Sequence, residues 1–540
     1  METLFYRKSK INHNEILIPK KDQVRNKRFD QGNKFQRFIR KNKGILTVLI
    51  WYLFFSIIGG VLLYIPIFQQ DDVEKVSFIN SLFVSSSAFS DTGLSTVDIS
   101  ATYNFFGQLI IFILILIGGI GWFTIKVILV EYIFEKKVTI KDQSEIMNEI
   151  GGQTNAHALE VAKTAFISTV IFVVCFGLIF AGLFYSVDPK YPSEWTDTSI
   201  YPYTDFPTPD EIGLKGDFTK SLWAGIFHAG SSINNAGFDI FTGDYSLAIY
   251  YQNYFIQFLT IFLFVFGGIG FAVIYDCYNY LKNKAKGQKF RFSIFTKIAV
   301  ISYFSVAIIG LVLVFVIEGF DILINGNNSF YRNELYGDGL EKSYALIFNT
   351  FSTRNAGFST INLADLSEAT KVLYVLMMFI GSGPGSTAGG IRTTTLFILI
   401  IGIYAKIRKK KEVAIFNRRI ANDNVNDAYK IFILSAVIVF LASFSIYISE
   451  NVIDNESVSY IDSLFVSASA YGTTGLSTNN IQYIDVFASI ILIIVMFIGQ
   501  FGMYNILNLF KSEDDFVFTK KRHYYQIYNS KYLETKIRLG

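Results

Sequence analysis

The 540-residue chain has only 2 cysteines, 4 histidines and 8 prolines, and each scarcity excludes something. Cys175 and Cys277 each sit in or at the end of an apolar run, so neither a disulfide framework nor a zinc site is implied; both read as buried thiols. Four scattered histidines form no metal constellation, with His157 read as a loop residue and His228 as a packing residue of a short helix. HExxH, GxSxG and a Walker lysine are all missing, so no enzyme is expected. Charge is thin as well. Charged residues make up 17% of the chain against 51% hydrophobic, with mean hydropathy +0.37, which excludes a soluble domain of ordinary composition.

What is abundant is apolar length. Runs at 45–67, 105–130, 163–187, 255–275, 296–318, 371–404, 430–449 and 484–510 each reach the ~20 residues needed to cross a bilayer, giving eight expected spans. Lysine and arginine cluster from Arg7 to Lys43, against four acids in the first 44 residues, and recur at Lys136–Lys141, Lys282–Arg291, Lys406–Arg419 and Lys520–Arg522. The loop at 188–218 is acidic instead. The positive-inside rule then places both termini in the cytoplasm and that loop outside, and it accounts for the basic tail without nucleic-acid binding. The first apolar run continues through a full span with no cleavage site, so a retained helix is expected there.

Laid on itself, the chain repeats four times. Ser81–Thr96 nearly matches Ser463–Thr478, and diverged copies lie at Ile226–Phe238 and Ile347–Ser359, all sharing a small-Gly-Leu/Phe core. The four glycines, Gly93, Gly237, Gly357 and Gly475, are 144, 120 and 118 residues apart, and a second glycine follows each one at Gly118, Gly267, Gly381 and Gly499. Every unit reads as a spanning helix, a helix of about a dozen residues that is too short to cross, a glycine turn, and a second spanning helix. Irregular backbone at membrane depth is tolerated only where protein or a water-filled cavity satisfies it. Four such turns therefore imply a shared aqueous axis. Glycine frees the backbone to point carbonyl oxygens inward, where they replace a cation's water, while the short helices aim their negative C-terminal ends at the same axis. The expected fold is an all-α integral membrane protein with four helix–pore helix–helix repeats around a potassium-channel-like, pseudo-fourfold pore.

The four turns, together with Gly381-Ser382-Gly383-Pro384-Gly385-Ser386-Thr387-Ala388-Gly389-Gly390-Ile391-Arg392-Thr393-Thr394-Thr395, resemble the Trk/Ktr/HKT superfamily of potassium transporters, nearest to its bacterial KtrB-type subunit, over about residues 45–510. The resemblance implies potassium uptake through a selectivity filter formed by Asp91, Thr92 and Gly93, Asn235, Ala236 and Gly237, Asn355, Ala356 and Gly357, and Thr473, Thr474 and Gly475. It implies a gate loop holding Gly381, Ser382, Gly383, Gly385, Ser386, Thr387, Gly389 and Gly390, where Gly, Pro and Ser interrupt an apolar span. It also implies a homodimer in the lipid bilayer, docked on a cytoplasmic nucleotide-binding ring of the KtrA/TrkA kind. The basic loops at 282–291 and 406–419 are candidate contacts for that ring or for anionic lipid. No cofactor is expected, potassium is the substrate, and sodium dependence stays open. Gly383–Ala388 also fits a loose dinucleotide pattern and Gly385–Gly390 opens like a phosphate loop, but no soluble strand precedes them and Ile391-Arg392 replaces the required Lys and Ser/Thr.

The expected layout is a tail at 1–44, repeats at 45–135, 160–282, 295–406 (with gate loop 381–390) and 428–511, and a tail at 512–540. Two roles stay open for Asp91, which stands where the family has a neutral residue: concentrating cations at the mouth, or capping a turn. Arg354 matches a basic residue of KtrB-like proteins and is expected to pair with an acid. Gln500 stands where the resemblance leads one to expect a gate-holding Arg. Glycine in all four turns favours potassium, since relatives with serine in the first turn tend toward sodium. A carrier coupled to sodium or protons is the alternative, and Asp91 is the one ionisable group placed for it.

Overall fold

The computed structural model describes residues 42–510 except 72–73, 134–138, 140–142, 144–145, 147–154, 193–212, 242–245, 327–328, 411, 416–417, 454–457 and 479–483, and also 36, 38–39 and 533–535. Four helices recur four times. The long first helices are α1 (Lys43–Tyr64), α5 (Asn155–Ser186), α9 (Ile294–Asn325) and α13 (Asn422–Ile448). At about 1.5 Å per residue, their 22 to 32 residues span a ~30 Å hydrocarbon core. Their outward faces are apolar and bare: Ile301, Ile308 and Val312 on α9 are 47%, 54% and 56% exposed, which only lipid makes acceptable. Cys175 and Cys277 are exposed as well, so the expectation of buried thiols is corrected; Cys175 lies on α5 between the exposed Val174 and Leu178.

Each long helix is followed by a short one, α2 (Phe78–Phe89), α6 (Phe218–Ile233), α10 (Gly339–Ser352) or α14 (Tyr460–Gly472). Their starts are written in the sequence. Ser77, Asp217 and Ser459 accept the N–H of Asn80, Lys220 and Ile461, and Asp338 forms a reciprocal capping box with Glu341. With 12 to 16 residues each, they turn back inside the membrane.

The fourth part of each unit differs from a second straight span. In repeat 1, α3 (Phe105–Ile120) meets α4 (Trp122–Ile133) at 91°; in repeat 2, α7 (Tyr254–Ile269) meets α8 (Phe271–Ala285) at 99°. In repeat 3, α11 (Glu368–Phe379) and α12 (Thr393–Ile407) are separated by the unwound segment 380–392; in repeat 4, α15 (Val486–Phe501) meets α16 (Met503–Phe510) at 87°. The three bends fall on Gly121, Gly270 and Gly502 at φ +93°, +104° and +83°, backbone that L side chains rarely adopt. An unbroken apolar run gives no sign of such a turn. The expected second spans are therefore bent in three repeats and broken in one.

Between repeats 3 and 4, β1 (Ala414–Ile415) pairs antiparallel with β2 (Arg418–Ile420), and β3 (Leu533–Thr535) from the C-terminal segment adds in parallel to β2. Arg419, only 3% exposed, is paired there with Glu412 at 3.2 Å.

Candidate functional site

Each short helix ends in a left-handed residue that carries a side chain: Asp91 (φ +49°), Asn235 (+57°), Asn355 (+70°) and Thr473 (+50°). In all four repeats the residue after it donates its N–H back to the helix: Thr92 to Ser87 O, Ala236 to Ser231 O and Thr474 to Ser469 O at 2.8 to 2.9 Å, the bonding of a Schellman stop, and Ala356 to Ser352 O at 2.9 Å. Glycine is the usual occupant of such a stop, yet all four positions keep a side chain.

One residue further stand the glycines Gly93, Gly237, Gly357 and Gly475, all at positive φ. They close a ring in chain order. A Cβ on Gly93 would lie 2.5 Å from Ala236 O, one on Gly237 3.0 Å from Ala356 O, one on Gly357 2.3 Å from Thr474 O, and one on Gly475 2.3 Å from Thr92 O. Each glycine thus abuts the carbonyl that precedes the next repeat's glycine, leaving no room for side chains inside the ring. The twelve expected filter residues come together here, on four helix C-termini whose dipoles favour a cation.

Beneath the ring runs the segment 380–392. Its neck is tight: Gly381 approaches Gly389 so closely that a Cβ on it would sit 1.9 Å from Gly389 O. Three of the four left-handed side chains hold it. Asn235 Oδ1 accepts from Thr387 Oγ1 (3.3 Å), Asn355 Oδ1 accepts from Ser382 Oγ (3.1 Å), and Thr473 Oγ1 accepts from Gly389 N–H (2.6 Å). Backbone bonds add to these, with Gly383 donating to Gly268 O at 2.9 Å and Phe271 to Gly385 O at 3.0 Å. The expected loop residues are accordingly grouped under the ring, Ser386 among them through Arg392, which donates to its hydroxyl at 3.3 Å and to Ala388 O.

Among the described residues Arg354 has no acid for a partner. Fully buried, it donates to the carbonyls of Met377 (2.9 Å), Gly381 (2.6 Å) and Ile380, with its guanidinium 5.3 Å from the Tyr303 ring centre. Breaking a helix frees carbonyls that need donors, and a guanidinium offers five N–H groups from one side chain. Arg354→Met leaves those carbonyls bare and should cost roughly 3 kcal/mol of stability. Thermal unfolding of the purified protein measures it, and a midpoint equal to the wild type contradicts this role. Gln500, where a gate-holding Arg was expected, still grips the loop by donating from Nε2 to Thr387 O at 3.0 Å. His228 packs as expected, between Phe180 and Phe358, with Nε2 2.9 Å from Thr260 Oγ1. His157 lies in α5 against Tyr275 and not in a loop.

Asp91 departs from its three equivalents. Its side chain is fully buried, and neither carboxylate oxygen has a hydrogen-bond partner among the described residues, so it caps no turn. Its register also places it at the end of the ring nearest the loop, not at the mouth where a cation-concentrating acid was expected.

Sequence reading passed over Asp239. Two residues past the ring glycine, Ser95 and Ser359 each accept the N–H of the residue two further on; Asp239 makes the same turn, its Oδ1 accepting from Phe241 N–H at 3.0 Å. Extending the repeat alignment by two residues exposes this acid, since the other copies carry Ser95, Ser359 and Ser477. Burial pushes the Asp239 carboxyl up to about 7, with nearby Asp98 adding to the rise and the Phe241 N–H opposing it. The folded state thus favours the neutral acid: its contribution to stability is full at low pH and declines as pH rises from the ordinary carboxylate range through about 7. The same titration puts a negative charge at the ring's far lip above neutrality. Rubidium uptake at limiting concentration should therefore rise from about pH 6 to about pH 8, and Asp239→Asn should flatten the profile. An unchanged profile in the variant contradicts this.

Comparison with known proteins agrees with the geometry. A family model described as TrkH, cation transport protein, matches residues 73–520. The "Uncharacterized cation transporter MG322" of Mycoplasma genitalium is 31% identical, covering 84% of this chain and 92% of that protein. The "Ktr system potassium uptake protein B" of Bacillus subtilis is 30% identical, covering 84% and 90%. The crystal structure of the potassium transporter TrkH from Vibrio parahaemolyticus has the same fold, with TM-score 0.60 over 87% of this chain and 85% of that one at 17% identity. A matching family model across most of the chain, relatives aligned nearly end to end and a shared fourfold architecture make this multi-pass membrane protein a transporter and not an enzyme, and the chain belongs to the TrkH family of cation transport proteins.

Proposed function

We propose that the chain takes up potassium across the cell membrane, with the ring of four turns as its selectivity filter and residues 381–390 as its gate. The observation that carries this reading is the closed ring of glycines, each packed on the next repeat's carbonyl. Such a ring offers backbone oxygens in place of an ion's water and has no side chain in the way. Potassium is favoured because all four turns keep glycine and because relatives aligned nearly end to end are named potassium uptake proteins. The loop is the gate because it lies under the ring, tied to it by hydrogen bonds that are individually weak and reversible. Basic clusters favour both termini in the cytoplasm and the 188–218 loop outside by the positive-inside rule. In this reading two copies form a homodimer on a KtrA/TrkA-like nucleotide-binding ring that releases the loop, and the repeats are divided as the sequence suggests.

A sodium-permeable or sodium-coupled carrier is the second reading. One relative, 28% identical, is named "Potassium/sodium uptake protein NtpJ" from Enterococcus hirae, and Asp91 supplies an intramembrane acid. Growth of a bacterium stripped of its own potassium uptake tests the first reading. Expression of this chain with a nucleotide-binding ring protein should restore growth at low potassium; no rescue with the chain present in the membrane contradicts it.

A further inference from the structure

Of the four pseudo-equivalent side chains under the ring, three are occupied by the loop and one is not. Asn235, Asn355 and Thr473 each meet a different loop residue, so the loop visits the quadrants of repeats 2, 3 and 4. Asp91 belongs to the remaining quadrant. It is also the one acid among the four, it is fully buried, and both of its oxygens lack a hydrogen-bond donor among the described residues.

A buried carboxylate is costly unless a positive charge accompanies it. The two arginines of the loop region bind carbonyls and a hydroxyl, Arg354 the carbonyls at 377, 380 and 381 and Arg392 Ala388 O and Ser386 Oγ. We propose that the Asp91 carboxylate is an alkali-cation site at the loop end of the ring, filled by the permeating ion in the one quadrant the loop leaves unoccupied. The site rests on the pore reading above and adds a charged side-chain ligand to a ring otherwise built of backbone oxygens. Its effect is to hold a cation next to the ring while the loop is closed, so that the pore is loaded when the loop leaves.

Asp91→Asn is a clean test, because asparagine already occupies the same left-handed position in repeats 2 and 3. The full chain is purified, reconstituted in liposomes with its cytoplasmic partner, and assayed for rubidium uptake across a concentration series. Its thermal unfolding is followed in potassium chloride and in N-methylglucamine chloride. The site requires that Asp91→Asn raise the half-saturating rubidium concentration about tenfold and shrink the potassium-dependent rise in unfolding midpoint, and that Asp91→Glu restore both in part. A variant with wild-type half-saturation and the full potassium-dependent rise overturns the site while leaving the pore reading intact. A wild type that takes up no rubidium and gains no stability from potassium overturns both.

Discussion

Serine at position 93 should collapse the preference for rubidium over sodium at least about tenfold, equivalent to about 1.4 kcal/mol of lost discrimination. Two costs combine there. Gly93 lies at φ +90°, where a side chain is strained, and a Cβ would stand 2.5 Å from Ala236 O and 3.0 Å from the Gly237 Cα. The displaced oxygen belongs to the next repeat, so the strain passes around the ring in place of staying in one turn. Selection between two alkali ions depends on how many oxygens of what geometry replace the water shell, so a ring with one oxygen moved should bind both ions more alike. Competition between rubidium and sodium in reconstituted liposomes gives the ratio. A Gly93→Ser variant that transports and keeps the wild-type preference removes the ring from any role in selectivity.

The second large effect concerns the loop. Replacing Ser382 by alanine and Thr387 by valine removes the donors to Arg354 O, Asn355 Oδ1 and Asn235 Oδ1. Ser382 has a single hydroxyl proton to share between its two acceptors and Thr387 has one, so the two donors hold the closed loop by about 2 kcal/mol, on the order of 30-fold in its equilibrium. If residues 381–390 gate the pore as proposed, rubidium flux in the absence of any nucleotide-binding ring protein should therefore rise about tenfold or more, while the unfolding midpoint moves little because α11 and α12 on either side stay packed. Flux that stays at the wild-type level would mean that the loop is not what closes the pore.

How far the sequence alone reveals this molecule depends on whether a feature is local. The four units were legible because their signals sit within a few residues: a cap such as Ser77 or Asp338, a dozen semi-apolar residues, then a small residue and glycine. Residues 380–392 were legible because glycine, proline and serine cannot continue an apolar helix. The bends at Gly121, Gly270 and Gly502 were not, since hydropathy records that residues are apolar but not which way the chain runs. The recurrence of Gly119-Ile120-Gly121-Trp122 as Gly268-Ile269-Gly270-Phe271 was the available signal. Arg354 misled for a different reason. An arginine in a membrane interior suggests a carboxylate partner, but the carbonyls freed by a broken helix serve as well, and which of them converge is a fact of tertiary structure. The hold of Asn235, Asn355 and Thr473 on the loop joins residues up to 152 positions apart, and no local pattern encodes it. Asp91 stood out as a departure in the sequence, but its lack of a partner and its place at the loop end required the assembled ring.

Which ion passes is the most direct test of a pore built from the four turns. Liposomes holding the purified chain and a nucleotide-binding ring partner, loaded with potassium and given rubidium or sodium outside, should accumulate rubidium at least about tenfold faster than sodium. Sodium entering as fast as rubidium, or neither ion entering, would contradict a potassium pore built from these four turns.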